Sequence, residues 1–119
     1  AYWAMGRPRE RTERAVANSL VFGLYDGVKQ IGLARVISDY AVFAYLCDVI
    51  IHEDYRAQGL GKWLMETIHS HPDLQGLRRW TLATRDAHEL YRQFGWDALA
   101  NPEGWMEILR PFPGEGQDT

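Results

Sequence analysis

Val49-Ile50-Ile51-His52-Glu53-Asp54-Tyr55-Arg56-Ala57-Gln58-Gly59-Leu60-Gly61-Lys62 joins the most apolar run of the chain to the start of a helical pattern. Upstream, Tyr40 to Ile51 is apolar at every position except Asp48. Its β-branched and aromatic content, with little alternation, predicts a central strand buried on both faces. Downstream, Leu60, Leu64 and Ile68, with Trp63 and Met65 beside them, predict a helix that ends at His71-Pro72. Between the two lies the glycine loop Arg56 to Lys62. The first amides of a helix have no partner within it, and the helix dipole adds partial positive charge there. Gly59 and Gly61 let a ligand approach the backbone, and successive amides in such turns form an anion-binding nest. Arg56 and Lys62 add full charges, so the loop suits a phosphate or pyrophosphate. Two known phosphate loops do not fit. A G-x-G-x-x-G fingerprint needs glycine where Leu64 stands, and a Walker loop needs glycine at Arg56 and a hydroxyl at Trp63. A tight strand-to-helix turn that binds nothing remains the plain alternative.

Working outward, Trp80-Thr-Leu-Ala-Thr84 reads as the next strand, so strand, helix and strand form a right-handed parallel crossover. Before the apolar run, Leu20 to Tyr25 and Gln30 to Ile37 read as strands joined at Asp26-Gly27, a dipeptide suited to a tight hairpin. Ser38-Asp39 marks the following turn. Pro8 and the charged segment around it, with Val16 and Leu20, predict a short amphipathic helix over residues 8–19, its arginines forming a solvated face. After the crossover, Asp86 and Glu89 have the spacing of a capping box. The helix they open sets Ala87, Leu90, Tyr91 and Phe94 on one side and stops at Gly95. Trp96 to Leu99 and Trp105 to Leu109 are expected to form a last hairpin across Asn101-Pro102. The fold class is mixed α/β (α+β): a mostly antiparallel central sheet with one parallel crossover and flanking helices.

Composition narrows the function classes. The chain has 119 residues, 46% apolar and 13% aromatic, enough to build a core. Its net charge of −3 argues against a nucleic-acid partner. The apolar run is internal and too short to span a bilayer, so no membrane association is expected. A single cysteine excludes an internal disulfide framework and points to a reducing, cytoplasmic setting. Cys47 reads as a small buried hydrophobe. His69 and His71 lack a zinc-site pattern and read as surface residues, so no metal is expected.

The stretch Val49 to Lys62 resembles the acetyl-CoA motif of the GNAT superfamily of N-acetyltransferases, in which an apolar strand and short turn lead to R/Q-x-x-G-x-G/A at a helix start. A second signature of that family, A-x-x-L-Y-x-x-x-G-F/W, is similar to Ala87, Leu90, Tyr91, Gly95 and Trp96. Both occur in the family's order, over roughly residues 20–110. The family opens with a further strand and helix. The resemblance therefore implies a single domain over 1–110 without its first strand, followed by a flexible tail, 111–119. Thr84 stands where many members carry Asn.

The resemblance implies direct transfer of acetyl from acetyl-CoA to a primary amine in a ternary complex. Val49 and Ile51 are expected to hold the pantetheine through backbone groups, with an amide near Ile50 polarising the thioester carbonyl. Arg56, Ala57, Gln58, Gly59, Leu60, Gly61 and Lys62 are expected to hold the pyrophosphate, and Thr84 to hydrogen-bond the cofactor. Tyr91 falls where many members protonate the departing thiolate. Asp48 is either a general base, raised by burial, or a structural acceptor for a neighbouring strand. Tyr2, Trp3 and Tyr40 are the aromatics expected near the acceptor, a small-molecule or peptide amine, and a homodimer is in keeping with the family. An acyl-CoA-binding module without transfer activity is the other reading.

Overall fold

The computed structural model describes residues 8–112. Tyr2, Trp3 and the tail beyond Phe112 lie outside the described residues. Helix α1 covers Arg9–Ala17, behind Pro8, whose fixed φ of −58° suits a helix start. Strands β1 (Leu20–Asp26) and β2 (Lys29–Ser38) follow as an antiparallel hairpin whose last pair is Asp26 with Lys29, and Gly27 turns it at φ 60°. Strand β3 (Phe43–Ile51) pairs antiparallel with β2, and helix α2 (Leu60–Ser70) crosses over to β4 (Arg79–Leu82). The sheet order is β1-β2-β3-β4, with β3 and β4 parallel.

Leu64, Met65 and Ile68 of α2 are buried against Ala34, Val36, Ala44 and Leu46 of the sheet, which is the stripe the helical spacing predicts. The deepest strand is not the expected one. β2 is buried at every residue from Ile31 to Val36, whereas Tyr45 of β3 is exposed and Cys47 to Ile51 are half-buried. The reason lies in the pairing. β3 and β4 are partnered only from Phe43–Arg79 to Leu46–Leu82, and beyond Leu46 the ladder to β4 stops. An apolar strand therefore leaves half its length as a sheet edge that β4, ending at Leu82, does not cover.

Helix α3 (His88–Arg92) starts later than the predicted capping box requires. The amide of Ala87 is satisfied by the hydroxyl of Thr84 (3.0 Å), and Glu89 pairs with Arg92 (2.6 Å), so neither Asp86 nor Glu89 closes the box. The other end matches: Gly95 sits at φ 92°, its amide bonds to Arg92 O (3.1 Å), and Trp96 N bonds to Tyr91 O (3.3 Å). That pair of bonds is a Schellman motif. The predicted last hairpin is absent. Asn101-Pro102 opens a 3-10 turn, closed by the Gly104 and Trp105 amides, and Trp105 settles over the Arg79 guanidinium (5.1 Å). Met106, Ile108 and Leu109 then run exposed, with no paired strand among the described residues.

Candidate functional site

The uncovered edge of β3 carries a backbone irregularity. Leu33 faces Ile50 but Arg35 faces Cys47, so β3 carries one extra residue at Asp48–Val49. Asp48 adopts φ 52° there, a left-handed bulge conformation that aspartate tolerates better than most residues. Its Oδ2 accepts from Nε of Arg35 (2.9 Å), and Arg35 also donates to Ser19 Oγ (3.0 Å). Arg35 is among the few buried charged or polar residues, and this ion pair is what lets it be there. Past the bulge, His52 N donates to Ile31 O (2.7 Å). Antiparallel pairs alternate between bonded and unbonded, so the peptide groups of Ile50, two residues back, turn towards β2 and those of Ile51 turn to the uncovered edge. The amide available at this edge is thus Ile51's, not that of Ile50.

The loop below the edge is built from left-handed turns. Ala57 (φ 64°) and Gly59 (φ 79°) reverse the chain, and the first bond into α2 is Trp63 N to Gly59 O (3.1 Å). The amides of Leu60, Gly61 and Lys62 come before that bond, at the positive end of the helix dipole. Arg56 Nε donates to Ile51 O (3.0 Å), which ties the exposed arginine to the strand end. A Cβ on Gly61 would meet only Leu90 Cδ2, at 3.5 Å, which brings the start of α2 against α3 and next to Tyr91.

Tyr91 is 8% exposed, packed with the α2 face of the core and with Trp96 (6.0 Å between ring centroids). Burial, and then the charge of Asp86, push its hydroxyl above the usual tyrosine range, so it stays protonated at neutral pH. Thr84 accepts the Ala87 amide through its oxygen and keeps its own proton to donate. A cavity of about 670 Å³ runs along the free edge of β4, and both Thr84 and Tyr91 line it. Tyr40 does not. It stands at φ 62° in the β2–β3 turn, at the far end of β3 from the glycine loop, where Asp39 caps the amides of Ala41, Val42 and Phe43.

Two features escaped the sequence. Arg35 reads as an interruption in a strand until its bulge partner is known. His69, expected at the surface, is half-buried: its ring lies against Trp80 (4.8 Å) and Phe94 (6.0 Å), and Trp96 Nε1 donates to its Nε2 (3.0 Å). Burial lowers its pKa below the usual histidine value. The end of α2 packs onto β4 and the turn after α3, and that packing encloses the imidazole. His71 likewise accepts the Asp73 amide and meets Phe22 edge-on.

A four-stranded sheet with one parallel strand–helix–strand crossover, and a glycine loop at the start of the crossover helix, defines a mixed α/β fold with an anion-ready turn. The Acetyltransferase (GNAT) domain pattern matches residues 17–98, more than half of the chain, and the chain belongs to that family. A Xanthomonas campestris pv. campestris protein assigned to the GNAT family is 46% identical, superposes with a TM-score of 0.87, and is matched over 93% of this chain and 78% of its own. A protein of Glycine max named a histone acetyltransferase is 31% identical over 111 residues, which span 82% of this chain and 47% of that one. A GNAT family acetyltransferase of Elizabethkingia anophelis, solved with acetyl-CoA bound, shares the fold at 12% identity (TM-score 0.60, 73% of this chain, 60% of that chain). The chain spans less than half the length of the curated relatives it matches. No described helix is long and apolar enough to cross a membrane, and the described residues hold no cluster of metal-ligating side chains.

Proposed function

We propose that this chain transfers an acetyl group from acetyl-CoA to a primary amine, of a small molecule or a peptide, beside Tyr91. The observation that carries the reading is the β3 edge past Leu46, which has no β4 partner and leads along the chain into the glycine loop. A pantetheine arm carries amides that can bond to the backbone of Val49 and Ile51 as a neighbouring strand would. The amides of Leu60, Gly61 and Lys62, with the charges of Arg56 and Lys62, suit a pyrophosphate. Ala57 and Gln58 shape that turn, and the Thr84 hydroxyl has a proton to give to a cofactor oxygen.

Acetyl-CoA supplies an acetyl thioester whose thiol has a pKa of about 8.5, already a fair leaving group. Tyr91 holds a proton for the departing sulfur. Full transfer from a hydroxyl of pKa about 10 is uphill by ~2 kcal/mol, and burial makes it steeper, so Tyr91 acts through a hydrogen bond that strengthens as charge builds. The acceptor must lose a proton. For a lysine-like amine at neutral pH this costs roughly 4–5 kcal/mol. Asp48 is engaged by Arg35, which favours its structural role, and water then carries the amine proton away. The single cysteine, Cys47, suits a reducing, cytoplasmic setting.

The test combines binding and turnover. Acetyl-CoA should raise the melting temperature, and Tyr91→Phe should lower kcat about ten- to hundredfold with acetyl-CoA affinity nearly unchanged. Loss of binding in that variant would mean that Tyr91 holds the cofactor instead. A chain that binds acetyl-CoA yet acetylates no amine would be an acyl-CoA sensor.

A further inference from the structure

The cavity along β4 is built of aromatic surface. Tyr45, Trp80, Tyr91, Trp96 and Trp105 line it, with Glu107 at its wall, in a volume of about 670 Å³. That is the size of a small-molecule pocket. A second cavity of about 490 Å³ adjoins it, and Trp80 and Trp96 line both. Trp96 is fixed from three sides. Its amide bonds to Tyr91 O (3.3 Å), its ring meets Trp80 at 76° with centroids 5.9 Å apart, and its indole N–H donates to His69 Nε2 (3.0 Å). That last bond assigns the His69 proton to Nδ1.

The charges around the cavity favour a cation. Of the basic groups at its wall, Arg92 is paired with Glu89 (2.6 Å), and Arg79 of the adjoining cavity lies over Trp105 (5.1 Å). Besides the hydroxyls of Tyr45 and Tyr91, His88, Asp97 and Glu107 complete the ionisable lining, and the two carboxylates give it negative charge. Aromatic faces attract an ammonium and stack on a flat apolar body, and a thin polycation would leave that surface uncovered.

We propose that the acceptor is an arylalkylamine or similar amine with a flat apolar body, seated in the cavity against the aromatic wall that Trp80 and Trp96 form beside Tyr91, and that His69 is a positioning residue that shapes this pocket by holding Trp96. The proposal rests on the acetyltransferase reading above, and its test keeps the two apart. With the full chain, acetyl-CoA affinity is measured first. Turnover of phenethylamine and tryptamine is then compared with that of spermidine and lysine, and phenethylamine binding is followed directly by tryptophan fluorescence without acetyl-CoA. The arylalkylamines should show kcat/KM about tenfold or more above the aliphatic amines. Trp96→Ala should raise the arylalkylamine KM about tenfold, and the milder Trp96→Phe a few-fold, with acetyl-CoA affinity intact. His69→Leu should raise KM while kcat holds, and His69→Gln, which keeps an acceptor, should restore most of it. Equal or better turnover of spermidine with acetyl-CoA bound overturns the proposal, as does a KM unmoved by Trp96→Ala. Failure of acetyl-CoA to bind overturns the functional reading instead, and the fluorescence titration then decides the pocket: saturable phenethylamine binding sensitive to Trp96→Phe upholds it, and none refutes it.

Discussion

Asp48 stands in a left-handed backbone position because the bulge in β3 requires one, and its carboxylate then meets Arg35 across the strand pair. Removing the acid would leave a buried guanidinium unpaired. Asp48→Ala should therefore destabilise by about 3–5 kcal/mol in urea denaturation. Asp48→Asn keeps an acceptor and a left-handed preference, so it should fold and retain most turnover. A loss of about 10²-fold or more in a folded Asn variant would restore Asp48 as the general base. His69 gives a pH signature. Its folded pKa lies below the unfolded value of about 6.5, so the unfolded chain takes up the proton first. Stability should be full above pH ~6.5 and fall as pH drops from there towards the folded value. His69→Gln should remove that slope, measured as the denaturation midpoint between pH 7.5 and 5. Tyr91 acts in the opposite range: with its pKa raised, its contribution is lost as pH climbs above about 10.

At the scale of elements, the loop before α2 separates two uses of glycine. Gly59 needs its positive φ, so Gly59→Ala should cost about 1 kcal/mol or more and weaken acetyl-CoA binding with it. Gly61 has room for a methyl against Leu90, so Gly61→Ala should fold with near-normal stability. A sharp loss of acetyl-CoA affinity in that stable variant would show that the ligand needs the bare backbone there. These elements were legible in the sequence because their signals are local: the Asp26-Gly27 hairpin, the Leu60–Leu64–Ile68 stripe, and Gly95 as helix stop. What stayed hidden depends on distant partners. The bulge needs the β2 register, and the half-exposure of β3 needs the point where β4 ends, at Leu82. The capping box failed because Thr84 competes for the Ala87 amide, and the last hairpin failed because Trp105 lies on Arg79. Of the proposed site, the loop and Tyr91 are those that motif spacing singles out. It does not single out the aromatic enclosure of His69, since its members come from α2, β4 and the turn after α3.

For the whole molecule, the sheet that builds the core also supplies the proposed binding edge. β2 and the first half of β3 are paired on both sides, and the second half of β3 is held by β2 alone. A ligand that adds to that edge stabilises the folded state by mass action, about 2.7 kcal/mol at a hundredfold excess over Kd. The central claim is that acetyl-CoA lies along this edge with its pyrophosphate on the loop. Amide hydrogen exchange with and without acetyl-CoA tests it most directly. The account predicts protection concentrated at Val49, Ile51 and residues 57–62, with β1 unchanged. Protection elsewhere, with that strand and loop exchanging as fast as in the free chain, would contradict it.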